Sequence, residues 1–122
     1  MNIKEAIKNS LSKGNHITLS NWNGNIYLKI EYCRNKKTLL PYIFKHEGDK
    51  GKPWVTNDEE LASDDWIEVY KKGDESYINT GMIFLALKKA YIANYVQPGG
   101  ILHPRKGEEI SKKFNTILEQ YI

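Results

Sequence analysis

PWVTNDEELASDDW, residues 53–66, sets two tryptophans around a polar turn and a run of carboxylates. Pro53 pushes Lys52 out of the helical region, so the approach is extended. Thr56, Asn57 and Asp58 are capping and turn-forming types, because their short side chains bond nearby backbone N–H groups. Thr56 and Glu59 have the spacing of a capping box. The stretch therefore predicts one or two helical turns over 59–63, with Leu61 and Ala62 turned inward, ended by Asp64 and Asp65. Residues 66–70 alternate large apolar with polar side chains and predict a strand, which places Trp66 in the core. Trp54, beside a proline and a polar turn, is expected at a rim. There a flat aromatic face and hydrogen-bonding groups suit a base and its ribose hydroxyls.

Toward the N-terminus, residues 2–12 predict an amphipathic helix with Ile3, Ala6, Ile7 and Leu11 on one face, and Gly14 is its left-handed cap. Residues 16–20 and 25–32 alternate and read as strands. Asn23-Gly24 between them is a two-residue hairpin signal, which puts Trp22 at a second rim. Residues 33–38 are basic and polar and predict a loop, with Arg34, Lys36 and Lys37 solvated. Residues 39–45 predict a strand and 46–52 a charged, glycine-containing hairpin loop. His46, Glu47 and Asp49 in that loop match no metal-site spacing.

Toward the C-terminus, 73–76 is a polar joint. Asn79 or Thr80 caps a helix over 81–96 that is apolar around most of its circumference, and such a helix is buried on more than one side. Gln97-Pro98-Gly99-Gly100 stops it, and His103 is expected in a loop. Residues 108–121 predict a helix with Ile110, Phe114, Ile117, Leu118 and Tyr121 in one stripe. The helical pair fits a cover over one end of the sheet, an oligomer contact or a lid.

The fold class is α+β: an N-terminal helix on a small twisted antiparallel sheet of four or five strands in residues 1–72, with a two-helix extension in 73–122. A sheet this small leaves edges and apolar surface to cover, which agrees with a homo-oligomer. A net charge of +3 favours an anionic small molecule and falls far short of the basic stripe of a nucleic-acid binder. The single cysteine, Cys33, excludes an internal disulfide and a cysteine zinc site and fits a reducing cytoplasm. The N-terminus lacks the apolar segment of a signal peptide, and the longest apolar run, 82–87, is too short for a bilayer. Neither a membrane nor a cofactor is expected.

Asp58, Glu59, Glu60, Asp64 and Asp65 offer carboxylates for a metal or for acid–base work. No histidine accompanies them, and no nucleophile stands with a base at motif spacing. A binding module is therefore preferred to an enzyme, with no catalytic residue and no metal. A third reading is a protein-binding inhibitor that uses the apolar C-terminal helices.

Several short motifs occur in order: Lys13-Gly14, Trp22-Asn23-Gly24, Pro41-Tyr42-Ile43, Pro53-Trp54, and Leu61-Ala62-Ser63-Asp64-Asp65-Trp66. Over residues 1–72 the chain resembles the phage-encoded Thoeris anti-defence proteins of the second type. The resemblance implies a sponge in the cytoplasm of an infected bacterium. Such a protein binds cyclic ADP-ribose-type messengers, or cyclic dinucleotides, without altering them. It also implies a homo-oligomer, a tetramer favoured, with ligand held where protomers meet. The family commonly carries a basic residue shortly before Trp-Asn-Gly; Leu19 and Ser20 stand there in this chain. Carried over by position, Trp22 and Trp54 are the aromatic walls and Asn23 and Gly24 shape the turn. Thr56, Asn57 and Asp58 bond base or ribose. A carboxylate such as Asp58 accepts from two neighbouring hydroxyls, so it suits a ribose diol better than a phosphate. Phosphates are expected on backbone N–H groups or on a lysine, Lys29 or Lys52.

Overall fold

A computed structural model describes residues 1–35, 37–71, 78–96 and 104–121. The chain starts with α1 (Ile3–Asn9), capped by a box in which Asn2 Oδ1 accepts from the Glu5 N–H at 2.9 Å and Glu5 Oε1 accepts from the Asn2 N–H at 3.2 Å. A 3₁₀ turn over Leu11–Lys13 follows and ends at Gly14, left-handed with φ 79° as expected.

Five strands make one antiparallel sheet: β1 (His16–Leu19), β2 (Ile26–Asn35), β3 (Thr38–Glu47), β4 (Lys50–Pro53) and β5 (Trp66–Tyr70), in the spatial order β4-β3-β2-β1-β5. Between β4 and β5 lies the short α2 (Asp58–Leu61). Two helices complete the α+β fold, α3 (Thr80–Ala93) and α4 (Pro104–Glu119). Asn79 caps α3, its Oδ1 accepting from the Gly81 N–H at 2.8 Å. The proline at the head of α4 has no N–H to leave unpaired there, so that helix starts four residues earlier than its apolar stripe suggests. The joint expected at 73–76, the stop expected at 97–100 and His103 lie outside the described residues.

Strand extents depart from the periodicity in two places. Residues 33–35 and 38 are strand and not loop: the β2–β3 ladder runs without a break to Asn35↔Thr38. Residues 46–52 are mostly paired, with Glu47↔Lys50 closing a turn at Gly48 (φ 62°) and Asp49. Charged side chains at the solvated end of a ladder read like a loop because neither face is buried there. The Asn23-Gly24 hairpin is also corrected. Six residues separate β1 from β2, and Gly24 does not take the left-handed conformation that a two-residue Asn-Gly turn demands. Two successive turns close the gap, Trp22 N–H to Leu19 O at 3.0 Å and Ile26 N–H to Asn23 O at 2.9 Å. They let Trp22 fold back onto Trp66.

Ile17, Leu28 and Ile43 lie on the sheet face covered by α1 and α3, and pack with Ile3, Ile7, Leu11, Ile83, Leu87 and Tyr91 into one core. The stripe of α4 (Ile110, Phe114, Leu118) joins the same core. One stripe of each C-terminal helix is therefore consumed in folding, while Met82 and Leu85 of α3 stay exposed. No helix among the described residues is long and apolar enough to cross a membrane.

The other sheet face carries a row of rings. His16 stacks on Tyr27 at 4.6 Å between centroids, and Tyr27 stacks on His46 at 5.1 Å, both nearly parallel. His46 Nε2 lies 2.9 Å from Glu31 Oε1, which also pairs with Lys29 at 3.1 Å. His16 titrates below its ordinary value, chiefly through burial and then through the nearby Lys29 and His46. Gly51 faces this row, and a Cβ there would collide with the His46 ring. Because Tyr27 and Glu31 hold that ring, Gly51→Ala is expected to destabilise the fold by about 1–3 kcal/mol through overpacking. Denaturant titration reads the loss, and an unchanged midpoint would mean that the ring moves aside freely.

Candidate functional site

The polar turn after Trp54 is built by competition among several caps. Asn57, not Thr56, caps α2: its Oδ1 accepts from the Glu60 N–H at 2.9 Å. Thr56 is drawn inward instead, its N–H donating to Ala90 O of α3 at 3.1 Å and its hydroxyl donating to Glu60 Oε1 at 3.1 Å. Leu61 is buried as expected, whereas Ala62 is exposed, because a helix of four residues has only one inward position.

The tryptophans form a cluster rather than two rims. Trp66, fully buried, meets Trp22 edge-on at 5.4 Å and Trp54 edge-on at 5.7 Å. Its indole N–H donates to Glu60 O at 3.1 Å. Trp54 is only 2% exposed, so the rim expected for it is corrected: its ring is core, reached from the Trp66 side. Its indole N–H is buried with no hydrogen bond of normal geometry and faces the Glu60 carboxyl. Trp22 is half-buried, with Lys45 Nζ 4.5 Å above its ring, a cation–π contact. Asn23 and Gly24 beside it are exposed.

Burial pushes Glu60 above the usual carboxylate range, against the Thr56 hydroxyl, the Lys45 charge and the Trp54 indole, which pull it down. An acid raised by folding is charged reluctantly in the native state. Its share of stability is thus full below the ordinary carboxylate value and lost as pH rises through the raised one. Glu60→Gln is expected to flatten that part of the pH profile. Denaturation midpoints between about pH 4 and pH 8 check this, and parallel profiles for both proteins would contradict it.

Asp58 stands at the opening of a cleft of about 300 Å³ lined by Asn57, Asp58, Glu59, Asn94 and Tyr95. Tyr91, buried in α3, donates its hydroxyl to Asp58 Oδ1 at 2.5 Å and lies 3.2 Å from the Tyr95 hydroxyl. Burial first, and then the hydrogen bond to Asp58, raise the Tyr91 phenol far above its ordinary value, so it remains a donor. The second oxygen, Oδ2, faces Lys113 Nζ at 4.0 Å. Asp58 is thus an exposed acceptor whose rotamer is fixed from behind by a buried phenol.

Of the seven residues singled out in the sequence, Trp22 lies beside Lys45, with Asn23 and Gly24 exposed next to it along the chain, and Asn57 and Asp58 lie together on the cleft. Trp54 and Thr56 lie beneath, linked to both groups through Trp66 and Glu60. The sequence reading missed Tyr91 and Lys113, which reach Asp58 from the C-terminal helices, and Asn94 and Tyr95, which line its cleft. One signal was available: two tyrosines four apart in an otherwise apolar helix need a partner for their hydroxyls. Among the described residues, no group of three or more His, Cys, Asp or Glu side chains is placed to hold a metal.

Comparisons with the curated proteins and with solved structures found no match. A family model, the Thoeris anti-defense 2-like (Tad2-like) domain, matches residues 1–69. That span holds α1, β1 to β4, β5 but for its last residue, the tryptophan cluster and Asp58, and with more than half of its length matched the chain belongs to the Thoeris anti-defense 2-like family.

Proposed function

We propose that this protein blocks Thoeris defence by sequestering a nucleotide immune signal of the cyclic ADP-ribose type in the cytoplasm of the infected cell. The signal is held intact, its free concentration falls, and the effector that it would trigger stays idle. Trp22 with Asn23 and Gly24 serves the base, while Asn57 and Asp58 serve ribose hydroxyls. Trp54 and Thr56 support these groups from below. Protomers associate as a homo-oligomer, with a tetramer as the expected form.

The observation that carries the reading is the Asp58 carboxylate. It is exposed at a cleft and aimed by the buried Tyr91 hydroxyl, and it has lone pairs left for a diol. A preset acceptor gains affinity because little is reorganised on binding. Membership of an anti-defence family gives such a site a purpose.

The test is effector activation in a reconstituted Thoeris reaction. Protein added to the messenger before the effector should abolish activation in proportion to the sites supplied, and heating the mixture should restore it. Inhibition that persists after the protein is denatured would show that the signal had been destroyed. Inhibition independent of the messenger dose would point to binding of the effector itself.

A further inference from the structure

Asp58 is shared by two clefts. On one side are the amides and phenol of Asn57, Asn94 and Tyr95, with the Glu59 carboxylate. On the other is a cleft of about 400 Å³ lined by Asp58, Ala62, Lys112, Lys113, Thr116 and Ile117. Both have the size of small-ligand sites. Their chemistry differs: hydrogen-bonding groups on the first side, and two ammonium groups and a hydroxyl over an apolar floor on the second.

The cations come from α4 for a reason legible in its packing. Ile110, Phe114 and Leu118 bury one stripe of that helix in the core, which turns Lys112, Lys113 and Thr116 toward α2. Lys113 Nζ lies 4.0 Å from Asp58 Oδ2 and 6.0 Å from the Tyr95 ring, so it stands between the two clefts. Its side chain is 61% exposed, and at that exposure an ion pair is weak and readily exchanged for another anion. Lys112 has no ion-pair partner among the described residues. On the second side two lysines therefore face one carboxylate, Asp58, which neutralises at most one of them, while the other carboxylate, Glu59, lies on the first side.

We infer that the helical extension contributes a ribose-phosphate subsite to the binding site: Asp58 accepts from the ribose hydroxyls, Lys112 and Lys113 hold the phosphate, and Tyr95 borders the far side. This deepens the sequestration reading and rests on it. It also gives the residues beyond the matched 1–69 a role in ligand recognition. The phosphate is met by α4, and not by Lys29, which pairs with Glu31 on the opposite sheet face, nor by Lys52 of β4, which borders neither cleft.

The experiment measures binding of cyclic ADP-ribose and ADP-ribose by equilibrium dialysis, with three full-length proteins. These are the unsubstituted chain, the Lys112→Glu/Lys113→Glu double variant, and a Lys8→Glu/Lys13→Glu variant of equal charge change bordering neither cleft. The cleft variant is expected to bind at least tenfold more weakly and with a flatter salt dependence, while the control variant stays within about threefold. Both pairs are surface residues, and a Lys112→Gln/Lys113→Gln variant with an unchanged denaturation midpoint guards against a folding defect. If the unsubstituted chain binds and the cleft variant binds equally well, the inference falls and sequestration stands. Equal losses in both variants would reduce the effect to overall charge and also overturn it. If the unsubstituted chain retains neither probe, nor any cyclic dinucleotide, the sequestration reading fails and takes the subsite with it.

Discussion

Trp66→Ala is expected to destabilise the protein by about 3–5 kcal/mol, the range for truncating a large buried aromatic. For a domain of this size that is a large part of the total stability, so the variant should be substantially unfolded at 37 °C. Three losses coincide. The ring is fully buried and links Trp22 to Trp54, meeting each edge-on. Its indole N–H satisfies the Glu60 carbonyl at 3.1 Å, which holds the end of α2. Its backbone N–H and carbonyl bond Met1, at 3.1 and 2.8 Å, and hold the chain start against β5. The first two disappear with the side chain, and the third weakens as the strand loosens. Urea titration at neutral pH measures the effect. A loss under about 1 kcal/mol would mean that the cluster repacks without its central ring, and the account of how Asp58 is positioned would fail with it.

Asp58→Ala is expected to leave the fold nearly intact and to weaken messenger binding by about 1–3 kcal/mol, or roughly five- to 150-fold. The side chain is half exposed, so its removal opens no core cavity. Tyr91 loses its acceptor, but its hydroxyl keeps a neighbour in Tyr95 at 3.2 Å. A ligand diol would lose a charged acceptor already in place, which is why the effect falls on binding rather than on stability. Calorimetric titration of the full chain with the messenger checks this. Equal affinity for the variant and the unsubstituted protein would remove Asp58 from the site. Trp54 gives no such separation of effects: with its ring in the core, truncation there perturbs packing first.

Much of the fold was legible because the physics was local. Alternation in residues 26–32 and 39–45 marks strands whichever partner they meet, and Gly14 ends its helical turn for a steric reason that needs no tertiary context. What failed depended on distant residues. Asn23-Gly24 has the chemistry of a tight hairpin, yet Trp22 folds onto Trp66 from forty-four positions away, and the longer connection wins. Thr56 and Asn57 are both good caps. The choice between them is made by the Ala90 carbonyl and the Glu60 carboxylate, which take the Thr56 N–H and hydroxyl. Trp54 looks like a rim residue beside its polar turn until Trp66 supplies the ring that buries it.

The site divides along the same line. Asp58 could be chosen from its neighbours alone, as a carboxylate in a turn flanked by a tryptophan. The groups that aim it and border it are 33 or more positions away: Tyr91 and Tyr95 of the α3 end, and Lys113 on α4. No spacing rule connects them to the acidic turn. They converge because the apolar stripes of both helices must be buried on the same core, which fixes their polar edges around α2.

Sequestration without chemistry is tested most directly by what can be recovered. Purified protein is mixed with cyclic ADP-ribose-type messengers and cyclic dinucleotides, passed through a filter that retains protein, and the retained fraction is heated and resolved by chromatography. The account predicts a nucleotide that is retained by the folded protein and released intact, in stoichiometric amount, on denaturation. A chemically altered nucleotide, or a retained fraction that releases none, would contradict it.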